Sequence, residues 1–421
     1  MKSRLAMVLV SVLAVSMLMA CTKKTGEYTD TYKEETDQAD TDEEETDQAD
    51  TEEKSPNPEE RKEDILSETV GRQIDRMTAE EKVAQLFIIQ PEALMKDAGT
   101  VTAAGETTRD ALNETPVGGF IYLDGNLESR GQVKEMLKNV QAFSIERTGF
   151  PMFLCVDEEG GAVARIAGSG RFDVPQMEDM SVVGSREDTG EAYEIGKTIG
   201  DFLSDMGFNV DFAPVADVLT NPENQVVKRR AFSTDPKTAA AMAAAVAKGL
   251  EDKGVCAVYK HFPGHGGTAA DTHEGYAYVD KSLEELKSQD LLPFQEAISS
   301  GAKVIMAGHI SLPKVTGDDT PSSMSPEIIT GLLRTQMDYD GIVVTDALNM
   351  GAVTEQYTSG QAAVRTILAG SDLVLMPEDF EEAYQGVLDA VNDGTISKER
   401  LDESLRRILR IKISMMDREM N

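Results

Sequence analysis

The chain has 421 residues, and its 75 acidic against 41 basic residues give a formal net charge of −34. Because a chain this acidic is repelled by polyanions, its composition excludes non-specific binding to nucleic acid or to anionic surfaces. Its three cysteines, Cys21, Cys155 and Cys256, are too few and too far apart for a disulfide framework or a zinc ribbon. Cys155 and Cys256 each lie within an apolar run, which predicts buried thiols.

The N-terminal residues have the layout of an export signal. Lys2 and Arg4 precede an apolar run, residues 5–20, that is too short to span a bilayer with margin. The run ends in Leu-Met-Ala-Cys, which resembles the signal of a bacterial lipoprotein. We therefore predict that Cys21 becomes the lipidated first residue of a protein anchored at the cell surface. An ordinary signal peptide or an uncleaved anchor is the alternative.

The next segment, residues 22–64, carries 18 acidic and 6 basic residues and almost no large apolar side chains. The sequence EETDQADT occurs at residues 34–41 and again at 44–51. Because like charges at this density repel and cannot bury a core, we predict a disordered, extended spacer. The predicted divisions are a signal peptide at 1–20, an acidic linker with lipidated Cys21 at 21–64, and a folded domain at 65–421.

Short β-rich runs recur through the folded part and alternate with segments of helical character. Apolar runs without strict alternation, separated by helices, indicate a parallel sheet buried on both faces. Eight such runs predict a closed (β/α)8 barrel of the TIM type, with an open doubly wound sheet as the alternative. The predicted strands are residues 86–90, 119–123, 153–157, 208–213, 255–260, 303–308, 342–346 and 373–376. The predicted helices include residues 132–147, 187–206, 237–253, 283–299 and 326–337.

Polar residues lie at the carboxyl ends of the predicted strands, which is where the active sites of (β/α)8 barrels are found. Asp157 ends the third run, Lys260 and His261 end or follow the fifth, His309 follows the sixth, and Asp346 ends the seventh. The strand pattern and the positions of these residues are independent signals. Their agreement predicts an active site at this end of the barrel.

Three of the four histidines fall within one short stretch, which reads KHFPGHGG at residues 260–267 and continues to Asp271-Thr272-His273. Helix-breaking proline and glycine residues around titratable groups favour an active-site loop over a polar surface loop. A metal site could use His261, His265, Asp271 and His273, but Lys260 disfavours a second cation there, and no metal is predicted. The glycines lack the spacing of a P-loop or a dinucleotide fingerprint, so phosphate binding is only weakly supported.

Glycoside cleavage is the remaining chemistry. It needs a carboxylate that attacks the anomeric carbon and a second group that moves the leaving-group proton. Asp346, in the run IVVTDAL, could be the nucleophile. His273 could be the acid/base, because an imidazole that titrates near neutrality can give a proton and take one back. Asp271, two residues away, could orient the ring and favour its charged form.

The order of these motifs resembles glycoside hydrolase family 3, in its β-N-acetylglucosaminidase branch. The matching elements are DEEGGAVAR at residues 157–165, KHFPGHG followed by DTH, and VVTDALNMGAV at residues 343–353. The resemblance covers essentially the whole folded part in the family's order. It implies a single catalytic barrel without the family's second domain, since the D-x-H pair supplies the acid/base from the barrel itself.

By this resemblance, Asp346 is the nucleophile, His273 the proton donor and acceptor, and Asp271 its partner. The residues that would hold the non-reducing N-acetylglucosamine are Asp157, Arg165, Arg230, Lys260 and His261. From the residues alone, other readings stay open. Asp157 and Arg165 could form a structural ion pair, Lys260 and Arg230 could be solvated charges, His261 could be a core histidine, and Asp346 could cap a helix.

Two departures from the family pattern stand out, and two further histidines are interpreted as supporting residues. Ala231 follows Arg230 where the family usually has serine, and the loop has DTH where DSH is commoner. His265 is interpreted as a residue that shapes the loop, and His309 as support from the next strand.

The resemblance implies a retaining exo-β-N-acetylglucosaminidase without cofactor or metal. It would act on terminal β-N-acetylglucosamine of peptidoglycan fragments or related glycans. A phosphorylase is the alternative within this chemistry, because a histidine acid/base leaves less negative charge to repel phosphate. A non-catalytic sugar-binding lipoprotein is the alternative from another class. The oligomeric state is left open.

Overall fold

The computed structural model describes residues 58–95, 99–268 and 275–419. These residues belong to one compact unit, Pro56–Asn421. The predicted signal peptide, Cys21 and most of the predicted linker lie outside the described residues, as do Asp271 and His273. The boundary at residue 64 stays a prediction, although the first described helix, Pro58–Arg76, begins before it.

Eight parallel strands close into a barrel, as predicted. Each strand pairs with its neighbours in the chain, and the last closes on the first through Phe87 and Val374. The sequence-based expectation of a (β/α)8 fold is therefore confirmed, and the open sheet is not found. The strands are β1 Phe87–Ile89, β2 Gly119–Ile121, β3 Phe153–Val156, β4 Val210–Asp211, β5 Cys256–Phe262, β6 Val304–Ala307, β7 Ile342–Ala347 and β8 Leu373–Leu375.

The strands form because their residues are apolar on both faces, as a sheet covered by helices requires. Every residue of β1, β3, β5 and β6 is buried. Cys155 in β3 and Cys256 in β5 are among them, which confirms the predicted burial of these thiols. The charged and histidine side chains of the strands, Asp211, Lys260, His261 and Asp346, lie at or near the carboxyl ends, so the apolar core confines the chemistry to one end of the barrel.

Capped helices cover the barrel. Arg130–Thr148 begins at a capping box formed by Ser129 and Gln132 and ends at Gly149, which has a left-handed backbone. The described α-helices are α1 Pro58–Arg76, α2 Ala79–Ala84, α3 Pro91–Leu94, α4 Glu106–Glu114, α5 Arg130–Thr148, α6 Met180–Gly184, α7 Thr189–Met206, α8 Pro236–Asp252, α9 Leu283–Ser288, α10 Leu292–Ser299, α11 Pro313–Thr316, α12 Gly351–Thr354, α13 Ser359–Ala369, α14 Phe380–Asn392 and α15 Lys398–Glu419. Within the described residues, no helix is both long and apolar enough to cross a membrane.

Two predicted helices differ from the structure. Residues 283–299 form two helices, α9 and α10, because Pro293 lies in the first turn of the second and cannot continue a preceding helix. Asp290 lies buried at the break and accepts a hydrogen bond from Lys281 at 2.5 Å. The segment predicted at 326–337 is wound as a π-helix, Glu327–Gln336.

Two small sheets extend from the carboxyl ends of strands. Glu158–Gly160 pairs antiparallel with Val163–Ala164 directly after β3. Ile310–Ser311, which follows β6, pairs in parallel with Ala277–Tyr278. Both sheets hold loops at the end of the barrel where the polar residues collect.

Candidate active site

A cavity of about 300 Å³ opens at the carboxyl ends of the barrel strands. Because its polar lining comes from β5, β7 and the loops after β3, β4, β5 and β7, residues far apart in the chain meet there. The structure thus brings together six of the residues predicted from the sequence: Asp157, Arg165, Arg230, Lys260, His261 and Asp346.

Glu159 joins two of the predicted sugar-binding cations. Its Oε1 lies 2.7 Å from Lys260 Nζ and 2.7 Å from Arg230 Nη2, and its Oε2 accepts from Arg230 Nε at 2.8 Å. Lys260 Nζ also lies 2.9 Å from Asp157 Oδ1. Burial raises the pKa of Glu159, but Arg230 and Lys260 outweigh it and bring the pKa to about 2. The four side chains therefore form one largely buried cluster of ion pairs.

The contacts in this cluster contradict the alternative interpretations of Asp157, Lys260 and Arg230. Asp157 pairs with Lys260 rather than with Arg165, whose Nη1 lies 3.5 Å from Asp124 Oδ2. Lys260 is 2% exposed, and Arg230 is mostly buried against Glu159. Neither is a solvated surface charge.

The loop that carries Arg230 is shaped by Asn224. Its Oδ1 accepts from the N–H groups of Val226 and Val227, and its Nδ2 donates to the carbonyl of His265 at 2.9 Å. The N–H of Ala231 donates to Val227 O at 2.7 Å, so the backbone makes this turn with alanine in place of serine.

Asp217 orients the histidines of the KHFPGHG stretch. Its Oδ2 lies 2.7 Å from His261 Nδ1, and its Oδ1 accepts from the His265 N–H at 2.6 Å. Burial raises the pKa of Asp217, but the neighbouring His261 and His265 hold it below its usual value. Asp217 is thus a buried acceptor, and it fixes the ring of His261 against the cavity.

One glycine of this stretch, Gly266, is required by close backbone approach. A Cβ on Gly266 would lie 1.8 Å from the carbonyl oxygen of Val218, so only glycine fits.

His265 is buried, with Nδ1 2.9 Å from Thr268 Oγ1, and burial lowers its pKa. These contacts agree with its interpretation as a loop-shaping residue.

Asp346 lies near the end of β7, and its carboxylate lines the cavity. Its Oδ1 accepts from the N–H of Ala347 at 2.8 Å. Burial raises the pKa of Asp346, but the positive potential of His261, His309 and Lys260 and the backbone hydrogen bond outweigh it, so the pKa lies below its usual value. Asp346 is therefore held ionised, as a nucleophile must be.

His309, two residues after the end of β6, supports this strand end. Its Nε2 lies 3.0 Å from the carbonyl oxygen of Ala347, and its Nδ1 lies 2.8 Å from Ser323 Oγ. It does not line the cavity but touches the residue next to Asp346. This placement agrees with the supporting position expected for it.

Sequence reasoning did not assign Glu159 and Asp217 to the site, although both contact predicted residues. Glu159 could have been found, because side chains two positions apart in a strand share a face and Asp157 faces the cavity. Asp217 follows β4 beyond a loop and has no comparable local signal. The predicted acid/base pair, Asp271 and His273, lies outside the described residues.

Replacing Glu159 by glutamine should destabilise the fold, because Lys260 and Arg230 would stay buried without their shared carboxylate. Breaking a buried ion pair in this way costs about 3–5 kcal/mol. Chemical denaturation of wild type and Glu159→Gln measures the change in the free energy of unfolding. Glu146→Gln, at an exposed helix position, is the control. A loss below about 1 kcal/mol, the size of a surface pair, would contradict the described cluster.

Comparison with known proteins identifies the family. The family model described as "Glycosyl hydrolase family 3 N terminal domain" matches residues 78–411. "Beta-hexosaminidase" of Stenotrophomonas maltophilia is 33% identical over 299 residues, which cover 69% of this chain and 85% of that protein. "Beta-hexosaminidase A" of Pseudoalteromonas piscicida is 32% identical over 348 residues, which cover 76% of this chain but only 58% of that protein.

A solved structure is similar over the same part of the chain. The glycoside hydrolase family 3 β-N-acetylglucosaminidase from Paenibacillus sp. str. FPU-7 matches with a TM-score of 0.75 and 34% identity. The match covers 81% of this chain and 63% of that one, so this chain spans less than two thirds of some of the proteins that it resembles. The resemblance inferred from the motifs is confirmed: this chain belongs to glycoside hydrolase family 3.

Proposed function

We propose that this protein is a retaining exo-β-N-acetylglucosaminidase that removes terminal N-acetylglucosamine from peptidoglycan fragments or related glycans. The observation that carries the proposal is the ionised Asp346 in the same cavity as the Asp157–Lys260–Glu159–Arg230 cluster. Relatives named beta-hexosaminidase support the substrate class.

Asp346 is the proposed nucleophile. Because Oδ1 is held by the Ala347 N–H, we assign the attack on the anomeric carbon to Oδ2. A covalent glycosyl-enzyme then forms, and water hydrolyses it with overall retention. The rigid end of a barrel strand keeps the carboxylate in place for both steps.

The charged cluster is the proposed binding site of the sugar. Asp157 can accept from a sugar hydroxyl, and Lys260, Arg230 and Arg165 can donate. The buried Nε of Arg165 has no hydrogen-bond partner among the described residues. A buried donor without a partner is costly, and a sugar oxygen would satisfy it.

We assign the acid/base function to His273, with Asp271 as its partner. The carboxylates in the described part of the cavity support this choice indirectly. Glu159 is held ionised at a pKa of about 2 and has no proton to give. Both oxygens of Glu158 accept from backbone N–H groups, and its side chain does not line the cavity. We therefore propose another group as the proton source, and His273, eight residues after His265 in the sequence, is the candidate.

Product analysis on an aryl β-N-acetylglucosaminide, with and without phosphate, tests the proposal. Free N-acetylglucosamine with retained configuration in both conditions is the expected result. A sugar phosphate formed only with phosphate would show a phosphorylase instead. Binding of N-acetylglucosamine without turnover in either condition would show a sugar-binding protein.

We further propose that the protein is a membrane-anchored lipoprotein on the outer side of the membrane. Cys21→Ser should release it into the soluble fraction with its activity intact, because lipid alone would tether it. Fractionation of cells expressing wild type and Cys21→Ser measures the distribution. A variant that stays with membranes in high salt would contradict the lipid anchor.

A further inference from the structure

Glu158 lies between Asp157 and Glu159 in the sequence, yet its side chain faces the opposite way. Successive residues of an extended chain alternate in direction, so Asp157 and Glu159 face the cavity and Glu158 faces away from it. Glu158 is 0% exposed. Its Oε2 accepts from the Ile166 N–H at 2.7 Å and its Oε1 accepts from the Ala167 N–H at 3.0 Å. The carboxylate therefore binds two successive backbone donors.

These donors belong to the segment that carries Arg165, residues 163–167, here called the Arg165 segment. The N–H of Arg165 itself donates to the carbonyl oxygen of Asp157 at 3.2 Å. Three successive N–H groups of the segment thus bond to Asp157 and Glu158. The short antiparallel pairing of Glu158–Gly160 with Val163–Ala164 brings the segment to this position.

The guanidinium of Arg165 is less firmly held than its backbone. Its one described ion pair, Nη1 to Asp124 Oδ2, is 3.5 Å long and partly exposed, and its Nε has no described hydrogen-bond partner. Exposed pairs of this kind contribute little. The position of the guanidinium at the cavity is therefore determined mainly by the backbone that Glu158 holds.

We propose that Glu158 is a positioning residue, whose carboxylate holds the Arg165 segment so that Arg165 reaches the sugar. Only a carboxylate accepts at both oxygens; glutamine, of nearly the same shape, accepts at one and presents an N–H₂ donor at the other. The assignment of Arg165 to the sugar rests on the proposed function.

A double-mutant cycle of Glu158→Gln and Arg165→Ala tests the proposal. Loss of a hydrogen bond to a charged acceptor should raise KM for an aryl β-N-acetylglucosaminide roughly 10-fold in Glu158→Gln, with kcat within about 3-fold of wild type. In the Arg165→Ala background, Glu158→Gln should cause almost no further rise in KM, because Arg165, through which Glu158 acts, is gone. Glu146→Gln is the matched control and should behave as wild type.

Two results would overturn the proposal: equal KM factors for Glu158→Gln with and without Arg165, or an unchanged KM. A merely structural effect would lower the fraction of active enzyme and leave KM unchanged.

Amide hydrogen exchange gives a second readout that needs no activity. Exchange at Ile166 and Ala167 should quicken in Glu158→Gln and not in Glu146→Gln. If wild type hydrolyses no β-N-acetylglucosaminide, the proposed function fails, while the exchange result still decides whether Glu158 holds the segment.

The pH dependence provides a test on folded wild type. Burial raises the pKa of Glu158 to about 7, Asp157 adds to the increase, and Arg165 and the two backbone N–H groups oppose it. Two further charged groups lie nearby. Asp211 accepts from the Glu158 N–H at 2.9 Å, and burial raises its pKa. Lys260 is paired with Asp157.

Below a pH of about 7, one Glu158 oxygen carries a proton and no longer accepts from an N–H. Exchange at Ile166 and Ala167, corrected for its intrinsic pH dependence, should therefore quicken as the pH falls through this range. In Glu158→Gln the corrected exchange should not change with pH. A wild-type profile as flat as that of the variant would contradict the proposal.

Discussion

Replacing Asp346 by asparagine is expected to abolish turnover while sugar binding survives. The amide keeps the shape of the side chain, and its oxygen can still accept from the Ala347 N–H. It cannot form the glycosyl-enzyme, because an amide oxygen is a far weaker nucleophile than a carboxylate. Initial rates on an aryl β-N-acetylglucosaminide, together with calorimetric titration by N-acetylglucosamine, measure the two properties separately.

A matched control is Asp110→Asn, which makes the same chemical change at an exposed position of α4 and should leave both properties unchanged. Activity of Asp346→Asn above about a hundredth of wild type would contradict the nucleophile assignment, since a knocked-out nucleophile costs far more than this. Loss of binding together with turnover would show instead that Asp346 is needed to build the cavity.

Replacing His273 by alanine should have an effect that depends on the leaving group. A sugar aglycone leaves as a basic alkoxide and needs protonation, so its cleavage should slow by roughly 10²–10⁴-fold. An aryl leaving group of low pKa needs little help, so formation of the glycosyl-enzyme should be nearly unimpaired. Breakdown of the intermediate needs the base and would then limit the rate, so a burst of aryl alcohol should appear in pre-steady-state measurements.

Asp271→Ala is the informative companion variant, because it leaves the His273 imidazole in place and removes only the carboxylate proposed to orient it and to favour its charged form. It should show the same dependence on the leaving group in a milder form. If His273→Ala slows both substrates equally and shows no burst, His273 is a binding or structural residue. The carboxylates beside Asp157 would then be tested next as the acid. Both are poorly suited to it, because Glu159 is held ionised and both oxygens of Glu158 accept from backbone N–H groups.

Local sequence determined the fold class of this protein. Each of the eight predicted runs contains or overlaps a barrel strand, because a strand buried on both faces must be apolar along its length, and that pattern is visible without any partner. The same rule located the site, since polar residues at the ends of apolar runs must collect at one end of a parallel barrel. Asp157, Lys260, His261 and Asp346 were found in this way.

Only the tertiary structure decided how these residues are paired. The bonds of Glu159 to Lys260 and Arg230, and of Asp217 to His261, join segments that are far apart in the chain, and sequence spacing carries no information on such distances. The break between α9 and α10, by contrast, has a local cause in Pro293 that the sequence-based prediction of one helix did not take into account. Glu158 and Glu159 show the difference most clearly. They are chemically identical neighbours, yet Lys260 and Arg230 outweigh burial and lower the pKa of Glu159 to about 2, whereas burial outweighs the backbone N–H groups and raises the pKa of Glu158 to about 7.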